Sequence, residues 1–436
     1  MLGHYFHMAL RALWKTPMMA VAVVVALALG VGASIAMLTV VRVMSWDPLP
    51  GLGQHLYRPV IDPLPASFRI RPGADPRIAL TWIDAKALLD ADPAVVQAAL
   101  ATGRMVLPAQ TTRDQPAYVD GQFTTSRVFD AFGIRFLEGT GWSAAEEAAH
   151  AQLIVISESF ARRLQADGPM VGRRILLSER SFTVTGVIAD WTPVPRFHTD
   201  MQREVFAGRD DFFIPLETAI ALDLEVRNSV FSWGDVSNSR DMASASATWL
   251  QFWVALGDAR ARAAYAALLQ NHVQTQIDSG RFERAQQSAL VSLREHLQQR
   301  QVVPAEVRLQ LWLAIGFLFV CMVNICALLY ARLSRRTHEI AVRRALGARR
   351  GDVVLQLATE AVVVGGLGGM GALAVAGLGL WFLRAQPEGY ASLAVMDWPM
   401  AVFTPLLACV CSLLAAALPA LRVASTRIAM QIKVAE

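Results

Sequence analysis

The sequence predicts an α-helical membrane protein with four transmembrane helices and a large α+β domain, in two subdomains, inserted between helices 1 and 2. Three observations predict it. Four stretches without a charged residue, Pro17–Val41, Leu309–Ala331, Ala361–Leu383 and Trp398–Leu421, each exceed the roughly 20 residues that cross a bilayer as a helix. Lys and Arg gather beside one set of their ends. Between the first two stretches lies a long block, residues 42–308, of ordinary soluble composition. With 54% hydrophobic and 17% charged residues, the chain is too apolar to be wholly soluble and too charged to be wholly membrane.

Before the first span, Leu2, Phe6, Ala9 and Leu13 recur at helical spacing, while His7, Arg11 and Lys15 fall elsewhere on the wheel. Residues 1–16 therefore read as an amphipathic helix on the cytoplasmic leaflet, or as a plain cytoplasmic extension of the first span. His4 and His7 share a face there and read as an interfacial ring pair, not as metal ligands. Residues 17–41 form transmembrane helix 1. The run is too long for the apolar core of a signal peptide, about 7–15 residues, so it reads as retained.

The block 42–308 reads as mixed α and β. Gln152–Ile156 is a short strand, Ser157 an N-cap, and Glu158–Leu164 a helix with acid at its start and Arg162 and Arg163 near its end. Ser181–Ile188 is a strand with Phe182, Val184 and Ile188 on one face. Arg203–Asp211 is polar and loop-like, Trp249–Leu256 strand-like, and Asp258–Gln276 an Ala-rich helix. Helix-rich sequence runs on to Gln301, and Val302–Glu306 leads to the second span. All four cysteines, Cys321, Cys326, Cys409 and Cys411, lie in the spans, so this domain must fold by burying a core without disulfides.

Transmembrane helix 2 covers 309–331, a cytoplasmic helix 332–352, transmembrane helix 3 353–383, transmembrane helix 4 398–421, and a cytoplasmic tail 422–436. Asn324, polar at mid-span, reads as an interhelical hydrogen-bonding group in preference to a substrate site. Gly365 and Gly369 form a G-x-x-x-G, whose small residues let helices approach closely in lipid. It serves packing within the subunit or dimerisation, and packing within the subunit is favoured. The orientation follows from Arg11 and Lys15, the seven arginines from Arg332 to Arg350, and Arg422, Arg427 and Lys433. They place both termini and the 332–352 loop in the cytoplasm, and 42–308 outside. That outer block holds 27 Lys and Arg against 30 Asp and Glu. The net charge of +4 thus arises from the cytoplasmic side and is no nucleic-acid footprint.

A nucleotide-binding P-loop needs a Lys directly after a Gly. The three lysines follow Trp14, Ala85 and Ile432. No G-x-S-x-G, H-E-x-x-H or metal-binding spacing is present, and nothing in the chain argues for catalysis, a cofactor or a metal. The loop Arg335–Val354 holds six arginines interleaved with an apolar stripe, Ile340, Ala341, Ala345 and Leu346. His338, Glu339, Arg343 and Arg350 supply polar groups, Gly347 suits a helix C-cap, and Asp352 can start the next helix. Charge anchoring explains the arginines but not the stripe. A short amphipathic helix at the mouth of two spans suits the docking of another protein.

Glu339–Ala361, EIAVRRALGARRGDVVLQLATEA, resembles the signature of the FtsX-type permease domain of ABC transporters. In the outer block, Val119–Glu147, Leu153–Leu164, Val171–Leu177 and Phe182–Asp190 resemble the periplasmic core domain of the MacB-like branch. The resemblance implies a permease subunit of a MacB-like (type VII) ABC transporter in the bacterial inner membrane. It implies a separate, dimeric ABC ATPase that docks on Glu339, Ile340, Arg343, Arg344, Leu346 and Gly347, with ATP and Mg bound in that partner. It also implies a second permease chain, identical or homologous, and allows a periplasmic adaptor. In this group, closure of the ATPase is transmitted through the second span to the periplasmic domain, and substrate is exported or extracted from the periplasm or outer leaflet. The family's macrolide exporter carries its ATPase at the N-terminus, whereas about 16 residues precede the first span here. The family's tail carries an Asp-Pro pair, whereas this one reads RVASTRIAMQIK. The alternatives are a lipoprotein-releasing permease and an FtsX-like transmembrane regulator of a periplasmic hydrolase. A structural membrane anchor leaves the cytoplasmic helix unexplained.

Overall fold

The computed structural model describes residues 16–45, 47–69, 79–109, 115–164, 168–199, 205, 206, 208–244, 246–284, 288–300, 302, 303, 305–335, 342, 349–385 and 394–425. They fall into two compact units, Trp46–Val302 and Met1–Ser45 with Val303–Glu436. The helix read over 1–16, all but Thr16, lies outside the described residues, as does the tail beyond Ser425.

The inserted unit is built on one ten-stranded sheet. Its strands are β1 (Leu56–Val60), β2 (Val96–Leu107), β3 (Ala117–Thr124), β4 (Phe136–Gly139), β5 (Leu153–Ser157), β6 (Arg174–Leu177), β7 (Arg180–Ile188), β8 (Phe212–Pro215), β11 (Gln251–Ala255) and β12 (Ala289–Ser292), with β9 (Phe231–Ser232) and β10 (Ala247–Thr248) forming a separate pair. The order is β12-β1-β11-β2-β3-β8-β5-β7-β4, with β6 on β7. In place of two separate subdomains, one continuous sheet runs through a single compact unit. An antiparallel half, β12 to β3, joins a mixed half, β8 to β4, through the parallel pair β3–β8. Neighbouring residues feed opposite faces, as the two-residue period of a strand requires. Phe212 and Phe252 enter one core with Phe123, Phe182 and Leu269. Phe213 and Trp253 enter the other with Phe129, Phe132 and Phe197.

Two differences from the sequence reading have clear causes. Ile188 does not share a face with Phe182 and Val184: it lies in the second core, they in the first. The β5–β7 register shifts between Ile154 and Val155, skipping Thr185. One extra residue reverses the alternation beyond it. The stretch read as helix-rich up to Gln301 contains β12, which adds to β1 at the sheet edge. Ser157 does cap the following helix, Glu158–Arg163, its hydroxyl accepting from the Phe160 N–H at 3.2 Å.

Among the described residues, the other unit holds four helices long and apolar enough to span a membrane: Pro17–Met44, Ala305–Ser334, Arg350–Arg384 and Trp398–Ser425. They overrun the uncharged stretches, carrying Arg42, Arg308, Arg332 and Asp352 to the ends. The third helix is packed on two sides. A Cβ added at Gly365 would lie 2.7 Å from the Cys409 Cα, and one at Gly369 2.6 Å from the Pro405 Cα. On another side, one at Gly368 would meet the Leu27 Cβ at 2.7 Å and one at Gly371 the Ala28 Cβ at 2.8 Å. Glycine is what lets the first and fourth helices come this close. Ser34 ties the first helix to the second, its hydroxyl lying 2.9 Å from the Gly30 carbonyl and 3.1 Å from that of Ala314. At the far end Arg42 pairs with Asp397 at 3.2 Å, and Asp397 also accepts from the Met400 N–H at the start of the fourth helix.

Candidate functional site

The residues read as the ATPase-docking face, Glu339, Ile340, Arg343, Arg344, Leu346 and Gly347, lie outside the described residues. What the structure describes is the frame around them. The second helix ends at Ser334, whose hydroxyl donates to the Tyr330 carbonyl at 2.9 Å. The third begins at Arg350, where the Arg349 N–H donates to Asp352 at 2.9 Å. Arg332 at one helix C-terminus and Asp352 at the next N-terminus both complement the helix dipoles. Leu333, Val353, Leu357 and Ala420 pack together between the second, third and fourth helices. Beside them a cavity of about 30 Å³ is lined by Leu329, Arg332, Leu333, Leu357, Glu360 and Ala416, among others. That is room for about one water. Arg332 and Glu360 are both buried here. The helix ends that flank the loop are therefore packed against one another.

Of the other residues read as significant, Gly365 and Gly369 face the fourth helix of the same chain. Asn324 does not lie between helices of this chain: it is exposed on the second helix. A single polar residue in an apolar run does not reveal in the sequence which face of the helix it lies on.

The inserted unit contains polar clusters that the sequence reading missed. Asp210, fully enclosed, accepts from Arg196 at 2.8 Å and from Gln122 at 2.6 Å, and lies 2.8 Å from His198 Nε2. Burial disfavours its charge, but Arg196 and His198 overcome this and hold the carboxyl well below the usual range. His198 packs on Trp191 and Phe197. The cluster joins β3 to the chain between β7 and β8. Asp84 accepts from Thr81 at 2.6 Å, lies 2.9 Å from His272 Nε2 and pairs with Arg281, tying helix Trp82–Ala91 to helix Ala259–Asp278. Glu147 is buried, and the Ser126 N–H donates to its Oε2 at 2.9 Å. Burial raises its pKa to about 7, and Glu217 adds to the rise. The partners in each cluster come from distant parts of the chain, so no local pattern marks them. They join elements of the domain, and among the described residues no group of three or more His, Cys, Asp or Glu side chains could hold a metal.

The profile of the MacB-like periplasmic core domain matches residues 20–272, more than half of the chain, and that of the FtsX-like permease C-terminal domain matches residues 312–428. The chain belongs to the MacB-like, FtsX-type permease family. Among its relatives, the macrolide export ATP-binding/permease protein MacB of Rhodospirillum rubrum is 26% identical over 410 residues, covering 92% of this chain and 55% of that protein. MacB of Hyphomonas neptunium is 44% identical over 69 residues, 16% of this chain and 10% of that one. The probable syringafactin export ATP-binding/permease protein SyfD of Pseudomonas syringae pv. tomato is 26% identical over 307 residues, 68% and 38% of the two chains. This MacB-like permease thus spans between a tenth and just over half of these relatives' lengths. The periplasmic region of MacB from Actinobacillus actinomycetemcomitans aligns with 58% of this chain and 94% of its own, at a TM-score of 0.36 and 12% identity. The extracellular domain of the transporter YknZ aligns with 54% of this chain and 99% of its own, at a TM-score of 0.35 and 10% identity. As a MacB-like permease with four apolar helices, the protein is a multi-pass membrane protein.

Proposed function

We propose that this chain is the membrane subunit of a MacB-like ABC transporter, coupling ATP hydrolysis in a separate ATPase chain to movement of residues 46–302. The observation that carries this reading is the pairing of a MacB-like domain, inserted between two spans, with an Arg-rich stretch of sequence that joins two helices packed together at their ends. The ATPase supplies ATP and Mg chemistry and docks on Glu339–Ala348. Because such ATPases act as dimers, two permease chains stand over them. The loop and both termini face the cytoplasm of the inner membrane, and residues 46–302 face the periplasm, where an adaptor can join. Substrate is engaged by the inserted unit or enters from the outer leaflet. The four spans carry few polar side chains to replace a substrate's water, and the glycine contacts of the third helix leave little space between helices.

The test is copurification of the ATPase with the permease from membranes. Glu339→Arg and Arg343→Glu each remove one side of a charge pair at the contact, which costs roughly 2–5 kcal/mol when the pair is partly buried. Both variants insert normally and lose most of the bound ATPase. Wild-type amounts of ATPase on both variants would place the docking face elsewhere.

A further inference from the structure

The second membrane helix is the least covered by its own chain. In its most apolar window 17% of residues are buried, against 50%, 39% and 39% in the first, third and fourth. Its buried positions, among them Cys321, Ile325, Leu329 and Arg332, share one side. On another side Leu313, Gly316, Val320, Asn324, Ala327 and Ala331 are all exposed. They are spaced by three and four residues and form a continuous seam along the helix.

Lipid can cover an apolar face at no cost, so exposure of the leucine and valine positions says nothing about a partner. Asn324 is different. It lies eight residues before Arg332 and sixteen after Arg308, about 12 Å and 24 Å along the helix, well inside hydrocarbon if those arginines sit near the interfaces. Its amide has two N–H donors and a carbonyl acceptor, and it makes no hydrogen bond among the described residues. Lipid tails offer it nothing, and a polar group left unsatisfied there is strongly disfavoured.

We propose that this seam is where a second copy of the chain docks, with Asn324 hydrogen-bonded to Asn324 of the partner subunit across a two-fold axis. This rests on the reading that two permease chains assemble, and it names how they meet. An amide is complementary to itself: one NH₂ donates to the other's carbonyl oxygen, and the symmetry returns the bond. Nothing lies within 4 Å of a Cβ added at Gly316. With Ala327 and Ala331 it keeps the seam low, so two backbones can approach closely on either side of the Asn pair.

The test uses the full chain in phosphatidylcholine vesicles, with the four native cysteines replaced by alanine. Under mild oxidation, Asn324→Cys and Gly316→Cys form disulfide-linked dimers, while Met370→Cys, on an exposed part of the third helix, does not. In parallel, energy transfer between labelled chains gives the dimerisation constant. Asn324→Leu weakens it by about 3- to 20-fold, and Asn324→Gln restores it, as expected for one interhelical hydrogen bond in a membrane. Crosslinking at Met370→Cys but not at Asn324→Cys would overturn the seam and leave the two-chain reading standing. Dimerisation unaffected by Asn324→Leu would overturn the role of the amide. A chain monomeric at every density would overturn the second copy as occupant.

Discussion

At the scale of single residues, the inserted unit has carboxylates with opposite fates. Asp210 is as buried as Glu147 but is met by a guanidinium, an imidazole and an amide, and stays charged. For Glu147, burial raises the pKa from 4.5 to about 7, the Glu217 carboxylate adds to the rise, and donors at Ser126 and Trp142 offset it only in part. The folded state therefore binds a proton more readily than the unfolded chain. That contribution to stability is fully present below the unfolded pKa and is lost as pH rises through the folded one. Comparing wild type with Glu147→Gln isolates it. Between pH 4.5 and 7 the wild type should lose up to about 3 kcal/mol relative to the variant, measured by denaturant unfolding with tryptophan fluorescence. A difference flat with pH would show that the carboxyl is ionised throughout. None of this was legible in the sequence: Glu146 and Glu147 are adjacent, and only folding shows that Glu147 is buried while Glu146 caps a helix on the surface.

At the scale of elements, legibility followed local chemistry. Ser157 and the acid-then-base helix after it could be read because a cap and a dipole act within one turn. β2, VQAALATGRMVL, could not. It is buried on both faces, so its apolar residues do not alternate, and its alanines favour a helix on propensity alone. Cross-strand pairing with β3 and β11 overrides that preference. The third membrane helix shows the same limit. Its glycines announced close packing, but only the structure distinguishes those in contact from those in the open. Gly369 lies against the Pro405 backbone, whereas nothing lies within 4 Å of a Cβ at Gly366. Gly369→Leu should therefore cut the yield of folded, detergent-extractable protein several-fold, because the obstacle is backbone and cannot rotate away. Gly366→Leu should leave the yield unchanged. Equal yields, read by size-exclusion chromatography with a fluorescent fusion, would contradict the packing described.

At the scale of the whole molecule, the four spans and the inserted domain were legible because membrane solvation constrains composition over long stretches. The docking residues proposed for the loop rest on the family signature and lie outside the described residues. Division into a membrane unit and an inserted unit has a functional expectation. Replacing residues 42–308 by a short flexible linker should preserve ATPase copurification and abolish stimulation of hydrolysis by substrate. Transport of a substrate loaded on the cytoplasmic side of vesicles by this truncated protein would require a conduit through the spans themselves.

The chain enters β1 from the first membrane helix and leaves β12 through helix Leu293–Gln299 toward the second. These two strands are antiparallel neighbours, with Tyr57 opposite Ser292 and Val60 opposite Ala289. Both tethers therefore leave from the same end of one hydrogen-bonded ladder. Pulled together, they would load the pair evenly and carry the sheet as a rigid body. Pulled apart, they would open it like a zipper, rung by rung from Tyr57 and Ser292, the weakest way to load two strands. A force that separated the two tethers would thus act on this pair where it is weakest.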